Sequence, residues 1–171
     1  GPGVDGVGSV ASGRAQLGQL SSSPSLMLAR SAGIPVKCIA AVYQQHPFTY
    51  FSLGKNPIRS AKDMIGKTIA TQPTAKILLK ALLAKNGIAE GDVNVVNMGG
   101  GMGQLMTGQA DAVTGWLTNT NALKVLGADR VDLKLWDTGI QLYANPYYVT
   151  DETLDKHFDV LVGFIRASAK G

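Results

Sequence analysis

A chain of 171 residues with 45% hydrophobic and 16% charged side chains is long enough for one good core or two small lobes, and its composition is that of a folded globular protein. The net charge of +4, from 16 Lys and Arg against 12 Asp and Glu, is scattered without aromatic interleaving, which argues against nucleic-acid binding. A single cysteine, Cys38, excludes an intrachain disulfide and a cysteine-based metal cluster, and no apolar run is long enough to cross a bilayer.

The sequence opens Gly-Pro-Gly rather than with Met or with a basic and then apolar leader, so a processed chain or a fragment is expected and no signal peptide is visible. Residues 4–12 read as a short helix ending at Gly13, followed by a strand over 15–20. Ser23 is the expected N-cap and Pro24 the first-turn residue of a helix over 25–32, stopped by Gly33. Residues 36–43 are apolar on both faces, as in a covered parallel strand, which makes Cys38 a small core residue. A polar, irregular stretch, Gln44-Gln45-His46-Pro47, precedes a strand over 48–53, and the turn-rich Gly54-Lys55-Asn56-Pro57 is where the chain could leave a first lobe.

Next come a short capped helical turn over 60–65 and a strand over 68–71. A helix over 75–86 carries Ile77, Leu78, Ala81 and Leu82 on its apolar face and stops at Gly87. A strand over 93–98 runs into a glycine-rich loop, a short helix, Gly108 as the stop, and a short apolar strand, interrupted by Asp111, that leads to Trp116. This pattern repeats an earlier one: residues 7–17 align with 102–112, with Gly8/Gly103, Gly13/Gly108 and Ala15/Ala110 identical, which suggests two similar lobes. A helix over 118–126, an alternating strand over 131–136 that buries Trp136, and a strand over 142–149 broken or edged by Pro146 follow. The last helix has Thr150 as its cap, Asp151 and Glu152 at its positive end, and a stripe of Leu154, Phe158, Leu161, Val162 and Ile165. Alternating strands and helices indicate an α/β fold with largely parallel sheets.

In open parallel sheets ligands bind beyond the carboxyl ends of the strands. That rule selects residues 19–23, 44–47, 71–74, 99–101 and 116–119, whose Gln, Ser, Thr, Gly, Asn and aromatic residues offer donors and acceptors but few charges. Such a lining suits a small polar or heteroaromatic molecule. Thr71-Gln72-Pro73-Thr74 opens a helix, so its free N–H groups suit an anionic or carbonyl oxygen, unless Gln72 or Thr74 caps the helix itself. Trp116 either stacks on a planar ligand, with Asn119 bonding the ligand's edge, or is an ordinary core residue. The run Gly99-Gly100-Gly101-Met102-Gly103 fails the dinucleotide spacing, since Gln104 stands where the last glycine belongs, and it lacks the P-loop ending. His46 and His157 are the only histidines and have no partner at metal-ligand spacing; His157 reads as solvated, His46 as a turn or ligand-contact residue rather than a general base. Neither a catalytic set nor a cofactor is expected.

Several segments in succession resemble the NMT1/THI5-like and SsuA-like solute-binding proteins. They are Ala11-Ser12-Gly13-Arg14-Ala15-Gln16-Leu17-Gly18, Gly33-Ile34-Pro35-Val36-Lys37, Ala41-Val42-Tyr43-Gln44 and the crossover-like run from Ser60 to Ala70. Ala81-Leu82-Leu83-Ala84-Lys85-Asn86-Gly87-Ile88, Gly108-Gln109-Ala110-Asp111-Ala112 and Tyr147-Tyr148-Val149-Thr150-Asp151-Glu152-Thr153 continue the match. The resemblance implies a type II periplasmic-binding-protein fold, with two α/β lobes of mostly parallel sheets joined by crossover strands. It places residues 1–55 in an incomplete first lobe lacking the family's opening β-α-β unit, 56–137 in the second, and 138–171 back in the first.

The implied role is the periplasmic or lipid-anchored receptor of an ABC importer, working with a membrane permease and closing on a small solute. Solutes of this class include nitrate, sulfonates, taurine, aromatic acids and pyrimidine precursors of thiamine. By position, Gln19, Ser21, Ser22 and Gln44 would line the first lobe's side, and Thr71, Gln72, Thr74, Gly100, Trp116 and Asn119 the second's. The lack of Arg or Lys in these loops favours a neutral or heteroaromatic ligand. An incomplete first lobe would expose a strand edge, favouring self-association or a swapped dimer. The rival roles are an enzyme like the thiamine-pyrimidine synthase of the same fold, whose cysteine-rich signature is absent, and a ligand-sensing module of a signalling protein.

Overall fold

The structure, a computed structural model, describes residues 6–99 and 101–171. The chain begins with α1 (Gly6–Ala11), β1 (Gly18–Gln19), α2 (Ser23–Ser31) and β2 (Val36–Tyr43). Val10 of α1, Leu26 of α2 and Val36 of β2 form a buried cluster with Tyr148. β1 is two residues long, shorter than the expected strand over 15–20. No side chain may stand at Gly18: a Cβ there would lie 2.4 Å from the ring and hydroxyl of the wholly buried Tyr148. The N-cap of α2 is Ser22 rather than Ser23, whose hydroxyl instead donates to the Tyr143 carbonyl at 3.2 Å; Pro24 occupies the first turn as expected.

The chain then builds β3 (Phe48–Leu53), a 3-10 turn (Ala61–Met64), β4 (Thr68–Thr71), a 3-10 turn (Pro73–Ala75) and α3 (Lys76–Lys85). β5 (Asn94–Asn97), α4 (Gly103–Met106), β6 (Ala112–Trp116), α5 (Thr120–Leu123), a 3-10 segment (Lys124–Asp129), β7 (Arg130–Lys134) and a 3-10 turn (Leu135–Thr138) follow. The strands form one sheet in the order β5-β4-β6-β3-β7. β4 runs parallel to β5 and β6, whereas β3 is antiparallel to both β6 and β7. One face packs Phe51, Ala70 and Val113 against Leu105, Leu123 and Leu126. In α3 the buried residues are Leu78, Leu79, Leu82 and Leu83; Ile77 is 37% exposed, so the apolar stripe is rotated from the one expected. The helix expected over 118–126 is an α-helix only over Thr120–Leu123 and continues as the 3-10 segment Lys124–Asp129, which kinks at Gly127, whose φ of 63° no α-helix tolerates.

The chain closes with β8 (Ala144–Thr150), α6 (Asp151–Lys156) and α7 (Phe158–Ser168). β8 is the centre of a second sheet, β1-β8-β2, antiparallel to both neighbours. In each sheet all strands but one point the same way; because the reversed β8 is the central strand, the three-stranded sheet pairs wholly antiparallel. That pattern fits the division into two compact units, Gly1–Gln45 with Leu142–Gly171, and His46–Gln141. β3 and β8, the reversed strands, are the first strands after each change of unit. The fold is α/β as expected, but the boundaries move: Phe48–Leu53, assigned above to the first lobe, pairs with β6 and β7 and belongs to the second unit.

Three further expectations fail for local reasons. β2 is an edge strand rather than a covered one, and Cys38 is exposed, its Sγ donating to the Ala40 carbonyl at 3.4 Å. Pro146 lies in a central strand; it pairs with Ala41 beside the register shift between Cys38 and Ala40, where the ladder is already irregular. The last helix is two: Thr150 caps α6 by accepting from the Thr153 N–H at 3.0 Å, but His157, at φ −129°, separates α6 from α7.

The internal repeat is real in atomic detail. Gly13 and Gly108 adopt φ of 75° and 76°. The Gly13 N–H donates to the Val10 carbonyl at 3.0 Å, and the Gly108 N–H to the Leu105 carbonyl at 3.2 Å. The Ala15 N–H donates to Ser9 at 3.1 Å, and the Ala110 N–H to Gln104 at 3.0 Å. Each pair occupies equivalent positions of the aligned segments, one copy in each unit.

Candidate functional site

Sheet direction decides where the candidate residues gather. In the second unit the carboxyl ends of β4, β5, β6 and β7 lie at one edge, and the amino end of reversed β3 joins them, with Phe48 opposite Trp116 and Thr49 opposite Lys134. The Leu117 N–H donates to the Pro47 carbonyl at 2.9 Å and ties the loops after β6 and before β3 together. Trp116 is half-buried at this edge, and Asn119 is exposed, its N–H on the Trp116 carbonyl at 2.9 Å. Gln72 and Thr74 are exposed, and no side chain caps the helix they precede, so the self-capping alternative is not realised. The Thr71 side chain is wholly buried, and the Thr114 hydroxyl donates to its hydroxyl at 2.9 Å. Gly100 lies outside the described residues. Beside it, Gln104 pins the loop by accepting from the Gly99 N–H at 2.9 Å and donating to the Asn97 carbonyl at 3.3 Å.

His46 is the residue that sequence reasoning undervalued. It is 2% exposed, and its Nδ1 accepts the Phe48 N–H at 3.2 Å. Its ring lies 5.6 Å from that of Trp116 and 6.1 Å, edge-on, from that of Phe48; Phe48 in turn meets Tyr50 edge-on at 5.4 Å. Burial lowers the His46 pKa to about 4, so the ring is neutral at physiological pH. Burial also pushes the Tyr50 phenol far up, and it too stays neutral. Trp136, expected in the core, lies past the end of β7 in a 3-10 turn and is only partly buried.

The first unit repeats the arrangement. The carboxyl ends of β1 and β2 meet the amino end of reversed β8, where Ser22 bridges to Ala144 and Tyr43 pairs with the same residue. Gln19, Ser21 and Gln44 are exposed here, Ser22 is buried, and the Ser21 carbonyl accepts the Asn145 N–H at 3.3 Å. Asn145 has a φ of 51°, the one non-glycine left-handed residue among the described residues, and sequence reasoning missed it. The asparagine itself was the available signal, since Asn tolerates this conformation best after Gly, although the proline that follows favours an extended residue before it. All nine described candidates thus fall on the carboxyl edge of their own sheet. These edges offer neutral donors, acceptors and flat rings, which is the chemistry of binding; among the described residues no group of His, Cys, Asp and Glu could hold a metal ion.

A family model described as NMT1/THI5 like matches residues 1–171. The chain belongs to the NMT1/THI5-like family. A riboflavin-binding protein, RibY, of Chloroflexus aurantiacus is 29% identical over 155 residues, covering 88% of this chain and 44% of that protein. A formylaminopyrimidine-binding protein of Halalkalibacterium halodurans is 29% identical over 158 residues, covering 89% of this chain and 48% of its own length. Among solved structures, the periplasmic aliphatic sulphonate binding protein SsuA of Escherichia coli superposes with a TM-score of 0.74 at 18% identity, over 94% of this chain and 56% of that one. At that identity the likeness is one of fold. This NMT1/THI5-like chain spans about half the length of the curated relatives it matches.

Proposed function

We propose that this NMT1/THI5-like chain is the solute-binding part of an ABC importer's receptor, acting at the cell exterior or in the periplasm and delivering its solute to a membrane permease. The solute is a small polar or heteroaromatic molecule. Its candidate contacts are Gln19, Ser21, Ser22 and Gln44 on the first unit's edge and Gln72, Thr74, Trp116 and Asn119 on the second's, with Thr71 buried beside the latter; Gly100 is a candidate from the sequence alone. The observation that carries this reading is that, within each unit taken by itself, the described polar and aromatic candidates lie at the strand ends where open α/β sheets receive ligands. The two binding-protein relatives support a binding rather than a catalytic role. A thermal-shift titration with riboflavin, formylaminopyrimidine, an alkanesulfonate, an aromatic acid and nitrate tests it. A true solute raises the melting temperature progressively with concentration, by the equivalent of about 2.7 kcal/mol at a hundredfold excess over Kd; a flat response to every class contradicts the reading.

On the same reading, the outer edge of β2, eight residues long and at the end of its sheet, supports pairing with a second copy. Light scattering at rising concentration is expected to show dimers, and a clean monomer at high concentration counts against it.

A further inference from the structure

His46 presents a hydrogen-bond donor that the fold itself leaves unused. Because Nδ1 accepts from the Phe48 N–H, the proton of the neutral ring resides on Nε2. That Nε2 is buried and has no partner among the described residues, and the same is true of the Tyr50 hydroxyl. Buried donors of native proteins are nearly always satisfied, so an unsatisfied one in a ligand-edge loop marks a place where another molecule supplies the acceptor. The surroundings limit what that molecule is. Phe48 meets the imidazole edge-on at 6.1 Å and Trp116 lies tilted to it at 5.6 Å, and Trp116 is half-buried rather than sealed in the core. A neutral donor beside an indole matches a neutral acceptor carried by a flat ring.

We propose that His46 is a specificity-determining residue of the solute site, its Nε2–H donating to a ring carbonyl or ring nitrogen of a planar heteroaromatic solute that stacks beside Trp116. The inference rests on the solute-binding reading above. It separates His46 from a purely structural role, in which only the Nδ1 bond to Phe48 would matter.

Two substitutions of the 171-residue chain divide these roles. His46→Asn keeps an acceptor where Nδ1 receives the Phe48 N–H but removes the Nε2 donor. His46→Gln reaches the Nε2 position with an amide N–H but gives up the inner bond. Tryptophan-fluorescence titrations with riboflavin, formylaminopyrimidine and ethanesulfonate are expected to show ring-compound affinity falling about tenfold or more in His46→Asn and recovering to within about threefold in His46→Gln. Unchanged affinity in both variants, or the reverse ranking, overturns the role of His46 while leaving the solute-binding reading intact. Binding of the sulfonate alone, or of no probe at all by the wild-type chain, overturns the ligand class and this inference with it. NMR of the unsubstituted, histidine-labelled chain gives a readout free of folding effects: the His46 Nε2 proton resonance shifts on adding the ring compound that binds, and an unmoved resonance overturns the inference.

Discussion

Acidifying the solution from about pH 7 to about pH 4 is expected to remove about 3 kcal/mol from the stability of the unit that holds His46, and His46→Asn is expected to abolish that share of the loss. The folded ring has a pKa of about 4 against 6.5 for an unperturbed histidine, because burial disfavours the imidazolium. Between those values the unfolded chain holds a proton that the folded chain does not. Stability therefore rises with pH across the window: the contribution is complete above about 6.5 and lost as the pH falls towards 4. The Phe48 N–H and the rings of Phe48 and Trp116 are the ring's neighbours, and none of them titrates in this range. Asp63 of the same unit, held low chiefly by the Arg59 N–H, adds its own loss only further down, through the carboxylate range. Both tryptophans lie within residues 46–141, so urea unfolding followed by tryptophan fluorescence reports this unit alone. Parallel stability curves for wild type and His46→Asn between about pH 4 and 6.5 would contradict the account.

Asp111→Ala is expected to cost the same unit about 3–4 kcal/mol, with Asp111→Asn recovering about half of it. The carboxylate accepts the Thr68 N–H at 2.8 Å and the Asn56 side-chain amide at 2.6 Å, and Asn56 in turn accepts the Lys67 ammonium at 2.7 Å. One side chain thereby joins the start of β4, the approach to β6 and the turn after β3. Removing it leaves a strand N–H and an amide unsatisfied in a half-buried place, while Asn still offers one acceptor oxygen. These groups sit at the amino ends of β4 and β6, opposite the candidate site. Denaturant midpoints measure the loss, and the solute affinity of the molecules that remain folded stays at the wild-type value.

Asp111 also marks how far a sequence carries. Its segment, Gly108-Gln109-Ala110-Asp111-Ala112, was recognisable as a family motif, and Asp111 was visible as the polar residue in an apolar strand. What it does depends on partners 43 and 55 positions away, which no local pattern encodes. The helix–glycine–strand repeat was readable because left-handed glycine is a local requirement, and both copies make the same two backbone bonds. The candidates were chosen as loops beyond strand ends, and the strands they follow, β1, β2, β4 and β6, keep the common direction of their sheets, whereas the reversal of β3 and β8 had no local signal.

Elsewhere local signals misled. An apolar run cannot tell a covered strand from an edge strand, so β2 and Cys38 were expected inside. His46 sat in a stretch that read as an irregular loop, and its burial comes from the pairing of β3 with β6, which brings Trp116 beside it. Trp136 fitted an alternating strand, but β7 stops at Lys134.

The central claim is that solute is received at the carboxyl edges of the two sheets. Amide NMR shifts of the labelled chain, titrated with the ring compound that raises its melting temperature, test it most directly. The account predicts perturbations concentrated in residues 46–48, 71–74, 97–99 and 116–119 and in 19–22, 43–45 and 143–145, with Asn56, Thr68 and Asp111 at the opposite edge unmoved. Shifts centred on that opposite edge, or on the helical faces alone, would contradict it.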